Sequence, residues 1–334
     1  MRRDRWLVVG AVGVVLAAVL AWFLWPRSTT PWEEAFERLP DSVLKVSWTD
    51  WSEVASSLES SSGDVQAQID ATYDSGMTVT SALAQSAAAT QEHWGITPLD
   101  AEWEAYGQAR DGAVDVLKLG PDVSLDDLAE RLEEMGYVSA SGVWTGTPEL
   151  VANASLPVLQ ENVAVMADER LLVMGDDPAF VESVVSGDSS VRSSVDPLLS
   201  AAGEPTSAYV WVSDFACEDL AMSQADPADA SAAEELVADV GGVHPLTGMV
   251  MAQLPSGNVR VAMAFDSSDA ASEDLQPRTD LASGEAVGQG GTFPDRFEVE
   301  SATAEDEVIT FALDPVAGPL LGDLGQGPVL FATC

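Results

Sequence analysis

The chain has 334 residues, and its 55 Asp and Glu against 14 Lys and Arg give a formal net charge of −41. A surface of this charge repels phosphate backbones, which excludes nucleic-acid binding and leaves a cationic partner as the favoured charged one. The length suits one large domain or two moderate ones.

The first predicted element is a membrane anchor. Residues from Trp6 to Trp25 carry no ionisable side chain, and a helix of that length spans about 30 Å. Three of residues 1–5 are arginine, so the positive-inside rule places this tail in the cytoplasm and residues 28–334 outside. We expect a single-pass cell-membrane protein whose residues 6–25 contact the lipid bilayer. The alternative, a cleaved signal peptide, exports the remainder as well.

The exported part contains a faint internal duplication. Val43–Trp51 and Ser207–Phe215 both consist of a β-type run, then Thr or Ser, Asp and an aromatic residue that open a helix. A second similarity pairs Val114–Leu119 with Val261–Phe265. The predicted organisation is a cytoplasmic tail 1–5, an anchor 6–26, a juxtamembrane helix or linker 27–39, and two related α+β halves, 40–195 and 196–334.

Local signals place further elements in chain order. Capping residues, prolines and the spacing of apolar residues predict helices over 31–38, over 64–93 with a break at Gly76, from Thr97 onward, over 124–135 and over 177–187. Alternating apolar residues around polar turns predict hairpins over 162–174, 249–265 and 297–313. The stretch 266–291 is polar and rich in glycine toward its end, so we expect it to be the most mobile part. Together these elements predict an α+β fold of mostly antiparallel sheets, covered by helices on one side.

Two cysteines, Cys217 and Cys334, each follow an apolar run. In an oxidising compartment such a pair is best explained as a disulfide bond. A catalytic thiol is the alternative, but the acidic residues Glu218 and Asp219 beside Cys217 would raise the pKa of its thiol.

No motif in the chain assembles a reaction site. The sequence lacks a metal-binding histidine pair, a Cys-x-x-Cys pair, a nucleophile elbow and a phosphate-binding loop, so we expect no catalytic residue, no metal and no cofactor. His244 lies in a turn with two glycines and a proline, and is either a loop histidine or a base. Trp51 could line a groove or pack in the core. These two residues and Asp214 are the candidate site residues.

Several segments carry a resemblance to a known family. They are the anchor, Asp41–Trp48, Tyr106–Gln108, Asp214–Ser223, Gly241–Gly248 and Gly325–Cys334. In these segments the chain resembles an uncharacterised family of single-anchor extracytoplasmic envelope proteins of high-GC Gram-positive bacteria. The resemblance covers nearly all of the exported part and implies no activity.

The predicted function is therefore non-catalytic binding of a partner or ligand at the cell envelope. A cationic partner or another envelope protein fits the acidic composition. The alternative is an exported hydrolase with an unrecognised site near His244, and a third possibility is a passive assembly factor.

Overall fold

The computed structural model describes residues 29–58, 64–78, 81–220, 222, 225–316 and 318–334. The predicted anchor, Trp6 to Trp25, lies outside the described residues. Among the residues that are described, no helix combines the length and the apolar character needed to cross a membrane. From Pro31 to Cys334 the chain forms one compact unit.

Twelve strands form the centre of this unit. In chain order they are β1 Lys45–Thr49, β2 Ala101–Gln108, β3 Ala113–Leu119, β4 Val138–Ala140, β5 Val143–Thr145, β6 Asn162–Met166, β7 Leu171–Gly175, β8 Ser207–Val212, β9 Gly248–Gln253, β10 Val259–Ala264, β11 Phe297–Glu305 and β12 Val308–Pro315. All of the strand pairs are antiparallel, as the hairpin signals predict.

Twelve α-helices lie within the described ranges. They are α1 Pro31–Arg38, α2 Trp51–Ser57, α3 Val65–Asp74, α4 Ala87–Trp94, α5 Leu125–Met135, α6 Pro148–Asn153, α7 Pro178–Ser186, α8 Arg192–Ala202, α9 Phe215–Asp219, α10 Pro227–Asp239, α11 Ser268–Ala282 and α12 Leu320–Gly325. The predicted boundaries hold well at α5. There the Ser124 hydroxyl accepts from the Asp127 amide, and Gly136 ends the helix at a φ of 101°.

The strands form a single sheet in the order β11-β12-β10-β9-β8-β1-β2-β3-β7-β6-β5-β4. Outward from β1 the first five strands are β1, β2, β3, β7 and β6, and outward from β8 they are β8, β9, β10, β12 and β11. If the β4–β5 hairpin at the border of the first half is left out, the same chain order (first, second, third, fifth, fourth) recurs on both sides of the β1–β8 pair. The α+β class with a large antiparallel sheet is confirmed, while the division into two related halves stays a prediction.

Side chains alternate between two covered faces of the sheet. In β8, Ala208, Val210 and Val212 join the core beneath α1, α7 and α8, which we call the upper face. Tyr209 and Trp211 point the other way, into the core formed with α9 to α12. The first half has a separate core on that lower face, built with α2 to α6. Helices thus cover both faces, whereas the sequence predicted cover on one side.

Two local predictions were wrong. The helix expected from Thr97 is a single 3-10 turn, Pro98–Asp100, after which the chain enters β2. The turn itself is well formed, because Asp100 accepts from both the amide and the hydroxyl of Thr97. The stretch 266–291, expected to be mobile, contains the fifteen-residue helix α11, whose Ser267 caps its first turn.

The contact between α12 and β8 yields a stability prediction with an internal control. A Cβ added to Gly325 would overlap the Tyr209 ring, whereas one added to Gly322 in the same helix meets nothing within 4 Å. Gly325→Ala should lower the free energy of unfolding by about 1–3 kcal/mol because the buried ring must move. Gly322→Ala should be neutral or stabilising. Urea unfolding of both variants checks this, and equal stabilities would contradict the close packing of α12 on β8.

Candidate functional site

The predicted disulfide is present. Cys217 and Cys334 are bonded across a sequence separation of 117, with Cα atoms 5.6 Å apart. Cys217 lies on α9, a five-residue helix that directly follows β8. The bond therefore ties the C-terminal segment to the centre of the sheet.

Two salt bridges hold α9 against the first half of the sheet. Lys45 Nζ of β1 lies 2.7 Å from Asp219 Oδ2, which also accepts from Trp211 Nε1 at 2.7 Å. The Lys45 ammonium stands over the Trp211 ring, 5.1 Å from its centroid, and this cation–π contact fixes it further. Arg110 after β2 makes two hydrogen bonds to Glu218, at 2.7 and 2.8 Å.

A cavity of about 400 Å³ opens beside these bridges. Its lining consists of Leu44, Lys45, Gln108, Ala109, Arg110, Phe215 and Asp219. Among these residues are two cations, Lys45 and Arg110, one carboxylate, Asp219, and one aromatic ring, Phe215.

Asp214, a candidate site residue, lies next to this cavity but not in its lining. It occupies the N-cap position of α9, where its side chain makes no capping hydrogen bond. The hydrogen bonds and charge of Glu218 raise the pKa of Arg110, and the Asp214 carboxylate adds to that effect. Asp214 therefore contributes to the electrostatic surroundings of Arg110.

His244, the second candidate, belongs to a cluster with two acids of α11. Its Nδ1 lies 2.6 Å from Asp274 Oδ1, and its Nε2 lies 3.7 Å from Glu273. The hydrogen bond and charge of Asp274 raise the pKa of His244. The His244 amide also donates to Asp274, at 2.9 Å. About half of the His244 side chain is exposed.

Behind His244 lies a buried ion pair that the sequence reasoning missed. Arg278 and Asp274 are one helical turn apart on α11 and almost fully buried, with Arg278 Nε 2.9 Å from Asp274 Oδ2. Arg278 also donates to the carbonyls of His244, Phe331 and Thr333. The acid–base spacing of four residues was the available sequence signal. The pair joins the His244 loop to the segment that carries the disulfide.

This cluster orients an imidazole, as in the Asp–His part of a hydrolytic triad. A triad also needs a nucleophile within hydrogen-bond reach of the free ring nitrogen. In the described structure the ring's polar contacts are to Asp274 and Glu273, both carboxylates. The nearby cysteines are joined in the disulfide and supply no thiol. Within the described residues, the ring therefore takes part in a charged cluster with two carboxylates of α11.

Trp51, the third candidate, is a core residue. Its side chain is fully buried, and its indole Nε1 donates to Glu104 Oε2 at 2.8 Å. Glu104 accepts a second hydrogen bond from the Ala82 amide. Trp51 thus donates to a buried carboxyl group and packs in the core, which was the second of its two predicted roles.

The most unusual buried group is one that the sequence reasoning did not single out. Asp115 in β3 is fully buried, and neither of its carboxyl oxygens has a hydrogen-bond partner. Burial raises the pKa of Asp115 well above its usual range, and the nearby Glu104 carboxyl raises it further. The available signal was an acid inside the apolar run Ala113–Leu119.

Comparison with known proteins adds no functional information. No protein-family model matches the chain, and neither the curated proteins nor the solved structures yield a match. Among the described residues, no group of three or more His, Cys, Asp or Glu is placed to hold a metal ion. The resemblance to an envelope family therefore stays a prediction.

The burial of Asp115 predicts a pH-dependent loss of stability. Because its pKa is raised in the folded state above the ordinary 3.8, folding is favoured while the group is protonated and is weakened as pH rises through the folded pKa. Asp115→Asn removes this titration. We expect its melting temperature to fall less than that of the wild type between about pH 4 and about pH 8. Asp111→Asn, an exposed change in the same hairpin, should keep the wild-type slope.

Parallel slopes for Asp115→Asn and the wild type in a thermal melt series would contradict this reading. That result would mean that the pKa of Asp115 in the folded state is not raised.

Proposed function

We propose that the chain is a membrane-tethered protein of the cell envelope that binds a partner or ligand outside the membrane without catalysing a reaction. The observation that carries the proposal is the disulfide between Cys217 and Cys334. Disulfides persist in oxidising compartments, so the bond supports a folded part on the outer side of the membrane.

The sequence supports the same topology. The arginine-rich tail, residues 1–5, precedes the uncharged run Trp6 to Trp25, and this asymmetry favours a cytoplasmic N-terminus. On this proposal residues 6–25 span the lipid bilayer and residues 28–334 are extracytoplasmic. The acidic composition suits a cationic partner or another envelope protein.

The recurrence of strand order supports two related halves within this protein. β1 and β8 are the two strands of the duplicated sequence pattern, and they occupy equivalent places in the sheet. We propose that 40–195 and 196–334 arose from one unit by duplication.

Topology can be tested on the full chain in cells. We expect it in the membrane fraction, with both cysteines unreactive toward a membrane-impermeant maleimide until a reductant is added. Cys217→Ser should leave the Cys334 thiol reactive without reductant, which verifies that the reagent reaches the site. A full-length chain recovered from the cytosol with reactive thiols would contradict the topology, the bond and the proposed role together.

The hydrolase alternative makes a different prediction about His244. An exported hydrolase should turn over a substrate in a panel of chromogenic esters, amides and glycosides, and His244→Gln should abolish that turnover. The non-catalytic proposal expects no turnover in the wild type and unchanged binding properties in His244→Gln. Turnover lost in this variant would overturn the non-catalytic proposal.

A further inference from the structure

A groove of about 900 Å³ lies on the upper face of the sheet in the second half of the chain. Its floor is formed by side chains of β10, β11 and β12, and α8 forms one wall. Its lining includes Arg260, Ser301, Thr303, Val308, Thr310 and Ala312. We call this feature the α8 groove.

The corresponding place in the first half is filled by a helix. There α7 follows β7 and packs over β6 and β7, with Val181 and Val184 in the same core as Leu171 and Val173. In the second half the helix that follows β12 is α12, whose leucines belong to the lower-face core. Within the described residues, the upper face of β11 and β12 therefore has no counterpart of α7.

The floor of the groove carries hydroxyl side chains. Counted outward from the Val46–Val210 pair, Thr310 stands at the place of Gly175 in the first half, while Val308 corresponds to Val173. Ser301 and Thr303 on β11 are exposed and also small. Such a floor is stable in water and can hydrogen-bond to a polypeptide that covers it.

The helix that covers the equivalent face of the first half is short. It is α7, Pro178–Ser186, whose nine residues span about 14 Å. A partner segment of this length would restore on the second half the layer that α7 supplies on the first.

The acidic residues of the α8 groove favour a positively charged binding partner. Three consecutive acids, Glu305, Asp306 and Glu307, form one end of the groove. Arg260 lies elsewhere in the lining and is directed to the carbonyls of Ala201 and Ala202, at 3.4 Å each. A second copy of this chain would bring its own net charge of −41 to the same surface, which disfavours self-association.

We propose that the α8 groove binds a helical segment of a partner protein, with lysine or arginine side chains of that segment at the Glu305–Glu307 end. The proposal rests on the non-catalytic binding role above and names its surface and the chemistry of its partner. Apolar and small side chains of the segment would face Val308 and Ala312, and its cations would face the three acids.

The test uses the full chain in phosphatidylcholine nanodiscs, with empty nanodiscs as the blank. The probe is a fluorescent amphipathic helix of lysine, alanine and leucine, about four turns long, and its glutamate counterpart is the negative control. Glu305→Lys combined with Glu307→Lys should weaken binding of the lysine helix by about tenfold or more. Glu133→Lys combined with Glu134→Lys, on exposed positions of α5, makes the same change in net charge and should alter affinity by less than about threefold.

A second pair of variants tests the groove by its volume. Thr303→Trp fills the floor and should weaken binding, whereas Ser139→Trp on β4, at the far side of the sheet, should not. Unchanged melting temperatures exclude a folding defect. Equal effects of the two charge variants, full binding by Thr303→Trp, or no binding of the lysine helix to the wild type would each overturn the proposal. Because topology is measured separately, an exported and oxidised chain that fails here would retain its proposed envelope role and lose only this surface.

Discussion

The pairing of β1 with β8 is the interaction on which the structure depends. Ser47 pairs with Tyr209 and Lys45 with Trp211, so two runs of strands become one sheet. The upper-face core contains side chains from both sides of this pair, and the Lys45–Asp219 and Arg110–Glu218 bridges cross the same junction on the lower side. Each half has its own lower-face core, but neither closes the upper-face core alone. Cooperative unfolding of the whole unit follows, because separation at β1–β8 would expose apolar surface on both halves at once.

Much of this fold could be predicted from local signals, since hairpins and helix caps depend on residues close in sequence. The duplicated pattern at Val43–Trp51 and Ser207–Phe215 identified β1 and β8 as similar strands, but nothing local indicates that similar strands pair with each other. The strand β2 was missed because Thr97 and Pro98 do start a helical turn, and the tertiary pairing of Ala101–Gln108 then ends it. Helix cover on both faces was missed because both sides of a strand such as β8 are apolar, and this pattern is equally compatible with several layer arrangements.

In the candidate site, too, some features could be predicted from the sequence and others depend on tertiary contacts. The disulfide could be predicted, because a chain with two cysteines allows a single intramolecular pairing. The environment of His244 could not, because its partner Asp274 lies 30 residues away on another element. Asp115 shows the limit most clearly. Its sequence neighbours predict a buried strand, yet only the packed structure shows that both carboxyl oxygens are buried without a hydrogen-bond partner.

The two outermost strands of the sheet bear on how the protein avoids aggregation. An unpaired strand border offers free amides and carbonyls to any neighbouring chain, and exposed borders seed sheet-to-sheet association. One border here, β4, is only three residues long, and the other, β11, carries Glu298 and Glu300 and an irregularity in register between Val299 and Ser301. Shortness at one border and charge with a bulge at the other both disfavour extension of the sheet into a fibre. The twelve-stranded sheet therefore ends at both borders in strands that pair poorly with a neighbouring chain.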